Sequence, residues 1–305
     1  MPRYILGRLF QLVITLFLIS LVVFFLVRLK GDPVSVMAPP TFNAEQIESL
    51  RHAWGLDKPL WEQYVVFLRK AVTGDFGKSV QHGIPAMNLV VERIKWTYVL
   101  AGASALIAIV IAIPLGVISA VKRNSPADLL VTALATIGRA MPSFWVGLML
   151  MLIFSVRLRM LPAYGAETPA SIIMPALALG TGMAASLSRL TRSSMLETLG
   201  EDYIRTAHSK GLAFNVVVIR HALRNALIPV VTAFGLQLGW LLGGAVIVES
   251  VFSWPGLGRL MIDSINVRDI TVVQAGLIFF ATTFVLINLA VDILYTFLDP
   301  RVRYD

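Results

Sequence analysis

The sequence predicts an all-α integral membrane protein with six transmembrane helices and both ends in the cytoplasm. Three observations predict it. First, hydrophobic residues make up 57% of the 305 residues and charged residues only 14%, with a mean hydropathy of +0.76. Soluble domains carry about 45–50% apolar and about 25% charged residues, so a soluble core this apolar would lack the polar surface to stay in water. Second, the apolar residues form long uncharged blocks, which excludes disorder and a heptad coiled coil. Third, Lys and Arg are distributed unevenly between the blocks.

Crossing the hydrocarbon takes about 20 apolar residues at about 1.5 Å each. Six uncharged blocks meet or approach this: 9–27, 96–121, 140–156, 168–188, 225–248 and 270–291. Between lipid tails the backbone must satisfy its own hydrogen bonds, so each block is predicted helical. The third is the shortest. Leu129 to Gly138 precedes it with only Arg139 between, so its helix is expected to start earlier. The first block has a basic start in Arg3 and Arg8. It is too long for a signal peptide and runs into Arg28 and Lys30 without an A-x-A cleavage site, so it is read as a span.

With the N-terminus inside, the inner segments hold Arg3, Arg8, Lys122, Arg123, Arg189, Arg192, Arg205, Lys210, Arg220, Arg224, Arg301 and Arg303, twelve in all. The short outer loops hold four: Arg157, Arg159, Arg259 and Arg268. The long outer segment 28–95 has nine basic and seven acidic residues, and long loops count little in this rule. Twelve against four predicts N-in, C-in. It also accounts for most of the net charge of +8, leaving nucleic-acid binding without support.

Segment 31–95 is predicted to be an extracytoplasmic helical cap. Asn43 with Gln46 reads as a capping box for a helix from Ala44 to Trp54. Pro59 stands near the next helix start, Trp61, Tyr64, Val65, Leu68 and Val72 share one face, and Gly74 ends the helix. The cap either packs on the spans as a lid or receives something delivered from outside. The inner segment 189–224 is long for a membrane hairpin. Leu196, Leu199, Tyr203 and Ala207 recur at helical spacing, Glu197, Glu201 and Asp202 lie early, Lys210 lies late, and Gly211 marks a stop. This is either an amphipathic hairpin lying on the membrane or a handle for a cytoplasmic partner. A second helical stretch, Asn215 to Leu227, leads into the fifth span.

Small residues repeat every four positions at Gly235, Gly239 and Gly243, and at Ala176, Gly180, Ala184 and Ser188. Such faces let helix backbones approach closely, within the chain or between subunits. Two charges fall within spans, Arg139 and Asp292, and either pair or snorkel to the inner interface. Met141, Ser143, Gln237, Trp240 and Asn288 are candidate pathway residues. The chain has no cysteine, no G-x-x-x-x-G-K-[ST], no H-E-x-x-H and no G-x-S-x-G. All four histidines lie outside the spans. An enzyme, a metal site and a bound cofactor are therefore not expected in this chain.

Two cytoplasmic stretches carry a resemblance. Asp202-Tyr203-Ile204-Arg205-Thr206-Ala207-His208-Ser209-Lys210-Gly211 is followed by Arg220-His221-Ala222-Leu223-Arg224-Asn225-Ala226-Leu227-Ile228-Pro229. Together they resemble the permease subunits of binding-protein-dependent ABC importers, specifically the dipeptide/oligopeptide/nickel branch. Against the general signature E-A-A-x3-G-x9-I-x-L-P, Ala207 takes the second alanine and Gly211 the glycine. Arg205 and Thr206 replace Glu and Ala, and His221 and Arg224 replace Ile and Pro. Gly31-Asp32-Pro33, Gly74-Asp75-Phe76-Gly77, Trp254-Pro255-Gly256-Leu257-Gly258-Arg259 and Asp299-Pro300-Arg301 extend the likeness over the whole chain.

The resemblance implies a type I ABC importer permease fold, with a first helix (1–30), a cap (31–95), a five-helix core (96–299) and a tail (300–305). It implies that 195–211 is a coupling helix docking on an ATPase, with Glu201, Asp202, Tyr203, Thr206, Ala207, Lys210 and Gly211 as contacts. The implied partners are a second homologous permease subunit, two cytoplasmic ATPase subunits that use ATP and Mg, an extracytoplasmic substrate-binding protein, and membrane lipid. Short peptides are the expected cargo, and glutathione or a nickel chelate share the same scaffold. An ion-driven carrier and a membrane scaffold are the rival classes.

Overall fold

The computed structural model describes residues 2–29, 43–53 and 55–298. Trp54, the Gly31-Asp32-Pro33 and Asp299-Pro300-Arg301 motifs and the tail 300–305 lie outside the described residues. Among the described residues the regular structure is all helical apart from one isolated β-bridge, Lys78 to Pro85. In chain order the helices are α1 (Pro2–Leu29), α2 (Ala44–Ala53), α3 (Leu60–Thr73), α4 (Ala86–Val121), α5 (Pro126–Ala140), α6 (Ser143–Arg157), α7 (Ile173–Leu199), α8 (Asp202–Ser209), α9 (Phe214–Val251), α10 (Leu257–Asn266) and α11 (Ile270–Leu298). Among the described residues five helices are long and apolar enough to cross a membrane: α1, α4, α7, α9 and α11. The pair α5 and α6, bent by 108° at the break between them, passes the same test of length and apolarity only when the two are taken together.

That bend departs from the single third helix expected from sequence. Pro142 has no N–H and disfavours helical backbone in the residue before it. Met141 is extended (φ −78°, ψ 129°), and Pro142 follows at φ −62°, ψ 140°, so the chain turns and restarts at Ser143. Helix ends also differ from block ends. The second span starts at Ala86 rather than 96, and the fourth runs on to Leu199. Residues 195–211 are therefore not one helix. Leu196 and Leu199 finish α7, Gly200 closes it, Glu201 is extended (φ −72°, ψ 149°), and α8 begins afresh.

The local signals hold where they are described. Asn43 N–H donates to Gln46 Oε1 at 3.0 Å, and Gln46 N–H donates to Asn43 Oδ1 at 2.8 Å, completing the capping box. Gly74 ends α3 in the left-handed conformation, φ +74°, which glycine adopts without Cβ strain.

The chain divides into two compact units, residues 1–96 with 255–289 and residues 97–254 with 290–305. In the second unit α7 is central, packed by α5, α6 and α9. Its stripe Ala176, Gly180, Ala184 and Ser188 is buried within the chain. A Cβ on Gly180 would stand 2.7 Å from the Ser104 carbonyl oxygen, so α4 and α7 meet backbone to backbone. Gly235 likewise faces Val291, whereas Gly243 has open space around it. In the first unit Ala86, Leu89, Val90 and Ile94 pack with Leu257, Leu260, Val272 and Ala275.

Candidate functional site

Helix α8 stands between two long helices and is seated on one face only. Ile204 and Ala207 are buried in a cluster with Ala120, Met195, Val217, Val218, Ala222 and Ala226. The opposite face is exposed and polar: Glu201, Asp202, Tyr203, Arg205, Thr206, His208, Ser209 and Lys210. Asn225 on α9 donates to the Tyr203 hydroxyl at 2.7 Å, tying the helix to the next span. Arg205 reaches Asp202 at 3.3 Å, but both side chains are largely exposed, so the pair adds little. The Gly211 N–H donates to the His208 carbonyl at 2.9 Å with φ +75°, and this left-handed residue releases the chain toward α9.

Six of the seven residues expected to contact an ATPase lie on the exposed side. Ala207 does not. It is 6% exposed and helps seat α8, so it offers no surface to a partner. The sequence missed Ile204, the other seat residue, although its spacing from Ala207 is helical.

About one helical turn before Met195 on α7, Arg192 enters an ion pair that hydropathy alone does not show. Asp128 is buried near the start of α5 and accepts from Arg192 Nε at 2.7 Å and Nη2 at 2.8 Å. The Ser119 hydroxyl, the Asn124 N–H at 3.0 Å and, at the longer distance of 3.4 Å, the Thr132 hydroxyl also donate to it. One carboxylate thus fastens α4, α5 and α7. A second buried acid, Glu249 on α9, accepts from the Thr97 hydroxyl at 2.6 Å, and both residues are fully buried. The apolar block stops one residue short of Glu249, which hid it in the sequence.

In the first unit Asp269 organises the segment around the β-bridge. Its carboxylate accepts from the Ser79 and Thr271 hydroxyls and from the backbone N–H groups of Gln81 and Val272. Burial pushes the Asp269 carboxyl up, and these four hydrogen bonds outweigh it, holding the group below its ordinary value of 3.8. Beside this knot is a cleft of about 410 Å³ whose lining includes Gln81, His82, Arg93, Arg259, Asp263 and Asn266. Arg93 Nε is buried there without a hydrogen-bond partner among the described residues.

The candidate pathway residues are dispersed. Met141 and Ser143 flank the break between α5 and α6, both half-buried. Gln237 is half-buried and Trp240 is 78% exposed on α9, while the Asn288 amide donates to its own helix at the Phe284 carbonyl, 2.9 Å away. Arg139 is exposed in the last turn of α5, and Asp292 is half-buried and partnered. Among the described residues no ion pair joins these two.

Long apolar helices fastened by buried polar ties, with a short polar helix presented between two of them, define a multi-pass membrane protein with one exposed polar handle. The model of the family described as "Binding-protein-dependent transport system inner membrane component" matches residues 112–304, and the corresponding N-terminal model matches 1–100. The chain belongs to this family, the inner-membrane permease subunits of ABC importers, in its peptide/nickel branch. The glutathione transport system permease proteins GsiC of Escherichia coli (strain K12) and Shigella boydii serotype 4 (strain Sb227) are each 44% identical over 305 residues, covering 100% of both chains. Among solved structures, an inward-facing MetNI methionine ABC transporter aligns with a TM-score of 0.57 at 22% identity, covering 70% of this chain and 97% of that one. An amino acid ABC transporter crystallised with histidines aligns at 0.51 and 18% identity, covering 70% and 94%. At these identities the structural likeness is one of fold.

Proposed function

We propose that this chain forms half of the translocation pathway of an ATP-driven importer for short peptides of the glutathione kind. A second, homologous permease subunit supplies the other half. The observation that carries the proposal is α8, anchored by Ile204 and Ala207 while Asp202, Tyr203, Thr206 and Lys210 stay exposed. A helix held this way suits docking in a cleft of a cytoplasmic ATPase subunit. The charge distribution, twelve basic residues against four, supports N-in, C-in, the orientation in which α8 faces the cytoplasm. Full-length identity of 44% to permeases named for glutathione supports a small peptide cargo.

ATP and Mg are used in the two ATPase subunits. Their closure draws the coupling helices together, the spans open outward, a docked binding protein releases its peptide, and hydrolysis restores the inward-open state. The chain is a two-state element biased by partners at its two ends.

Purification from the native membrane with its associated chains, followed by reconstitution in liposomes, tests the reading. The expected result is co-purified ATPase and permease subunits with ATP-dependent uptake of labelled glutathione once the binding protein is added. Uptake driven by an ion gradient without an ATPase, or a stable complex with no flux, would overturn it.

A further inference from the structure

Helix α3 carries three different faces. The first packs on α1. Tyr64 meets Phe17 and Phe24 edge-on at 6.0 and 5.2 Å, Phe67 meets Phe24 at 5.6 Å, and the Tyr64 hydroxyl is 2.8 Å from that of Ser20. The second is polar, with Glu62, Arg69, Lys70 and Thr73. The third is the stripe Trp61, Val65, Leu68 and Val72. The spacing in the sequence groups these four with Tyr64 on one face, yet Tyr64 turns to α1 and the stripe does not follow it. Instead Trp61 is 68%, Val65 57% and Val72 82% exposed.

Depth decides what covers the stripe. The apolar span of α1 runs from Gly7 to Leu26, 20 residues, or about 30 Å of helix, matching the hydrocarbon thickness. Ser20, which holds Tyr64, lies six residues inside the Leu26 end, about 9 Å below that boundary. Amphipathic helices lying in a membrane interface bury their apolar face about 5–10 Å. Over the same stretch α1 itself carries exposed Leu18, Val22 and Phe25, apolar side chains that only lipid suits at this depth. The polar face, with Arg69 and Lys70, is free to point toward headgroups.

We infer that α3 is an interfacial helix set into the leaflet at the C-terminal end of α1, with Trp61, Val65, Leu68 and Val72 covered by lipid acyl chains. This segment of the cap is a membrane contact rather than an aqueous landing surface. The inference does not depend on the cargo or on the ATPase.

The chain has no cysteine, so single-cysteine variants carry one label each. Spin labels at Val65→Cys, Val72→Cys and Lys70→Cys, with Leu18→Cys as the lipid-facing reference, are read in the assembled complex in lipid nanodiscs. Accessibility to oxygen is compared with accessibility to a water-soluble nickel chelate. The expected oxygen-to-nickel ratio at positions 65 and 72 matches that at 18 and exceeds that at 70 severalfold. Ready access of the nickel chelate to 65 and 72 would overturn the inference in favour of an aqueous surface. Exclusion of both reagents would overturn it in favour of a protein neighbour. As a check without labels, Trp61→Phe is expected to reduce the fraction of emission quenched by brominated acyl chains. An unchanged fraction would count against the inference.

Discussion

Replacing Asp128 with alanine removes the acceptor that α4, α5 and α7 share. In the folded chain Asp128 takes both arms of Arg192 and is 5% exposed. Removing one partner of a buried ion pair costs about 3–5 kcal/mol, because the other charge is stranded. The Arg192 side chain keeps 29% exposure, so water partly relieves it and the lower end, about 3 kcal/mol, is expected for Asp128→Ala. Removing both partners strands nothing. The double variant Asp128→Ala with Arg192→Ala should therefore be less destabilised than the sum of the single variants, with a coupling of about 1–3 kcal/mol. Equilibrium unfolding in mixed micelles, following helix content, measures all three. A loss below about 1 kcal/mol for Asp128→Ala, the range of exposed pairs, or strict additivity in the double variant, would refute the idea that this carboxylate fastens the helices.

Other positions give sharp outcomes. Gly211→Val keeps open space around its side chain but forces a β-branched residue to φ +75°, at about 1–2 kcal/mol of backbone strain, and is expected to depress ATP-driven uptake in proteoliposomes more than it lowers complex stability. Gly180→Ala sets a methyl 2.7 Å from the Ser104 carbonyl oxygen and is expected to lose about 1–3 kcal/mol, read as a lower melting temperature. The Asp269 carboxyl titrates below its ordinary value of 3.8 in the folded chain. Its contribution is therefore present above that value and lost as pH falls through the lower folded one. The stability gap between the protein and Asp269→Asn should stay constant from neutral to about pH 5 and close below about pH 4, as melts across that range would show. Tyr203→Phe removes the acceptor of the Asn225 amide and is expected to lower the ratio of peptide imported to ATP hydrolysed while leaving assembly intact.

What the sequence made legible follows the physics of each signal. Lipid excludes charge, so the apolar blocks mark where the chain crosses. Capping is local, so Asn43 with Gln46 and the stops at Gly74 and Gly211 could be read from neighbours alone. Helix ends were less legible because hydropathy reports solvent rather than backbone hydrogen bonding. α4 begins at Ala86 while its apolar block begins at 96, and α7 outlasts its block to reach Leu199. Pairings such as Ser79 with Asp269, 190 residues apart, and Asp128 with Arg192, 64 apart, arise only once the helices are packed, and neither residue's neighbours hint at them. The same holds for Ala207. Its place in the motif suggested a contact surface, but only the three-dimensional seat shows that it faces inward.

That seat has a mechanical consequence. Four of its buried residues, Ala120, Ala207, Ala222 and Ala226, are alanines, which have no χ torsions to rotate. A joint lined this way has low compliance: load applied to the short helix meets few soft degrees of freedom before it reaches the long ones. Putting a long, supple side chain at Ala222 would add a spring in series, so displacement would be absorbed at the joint even where the partner still grips.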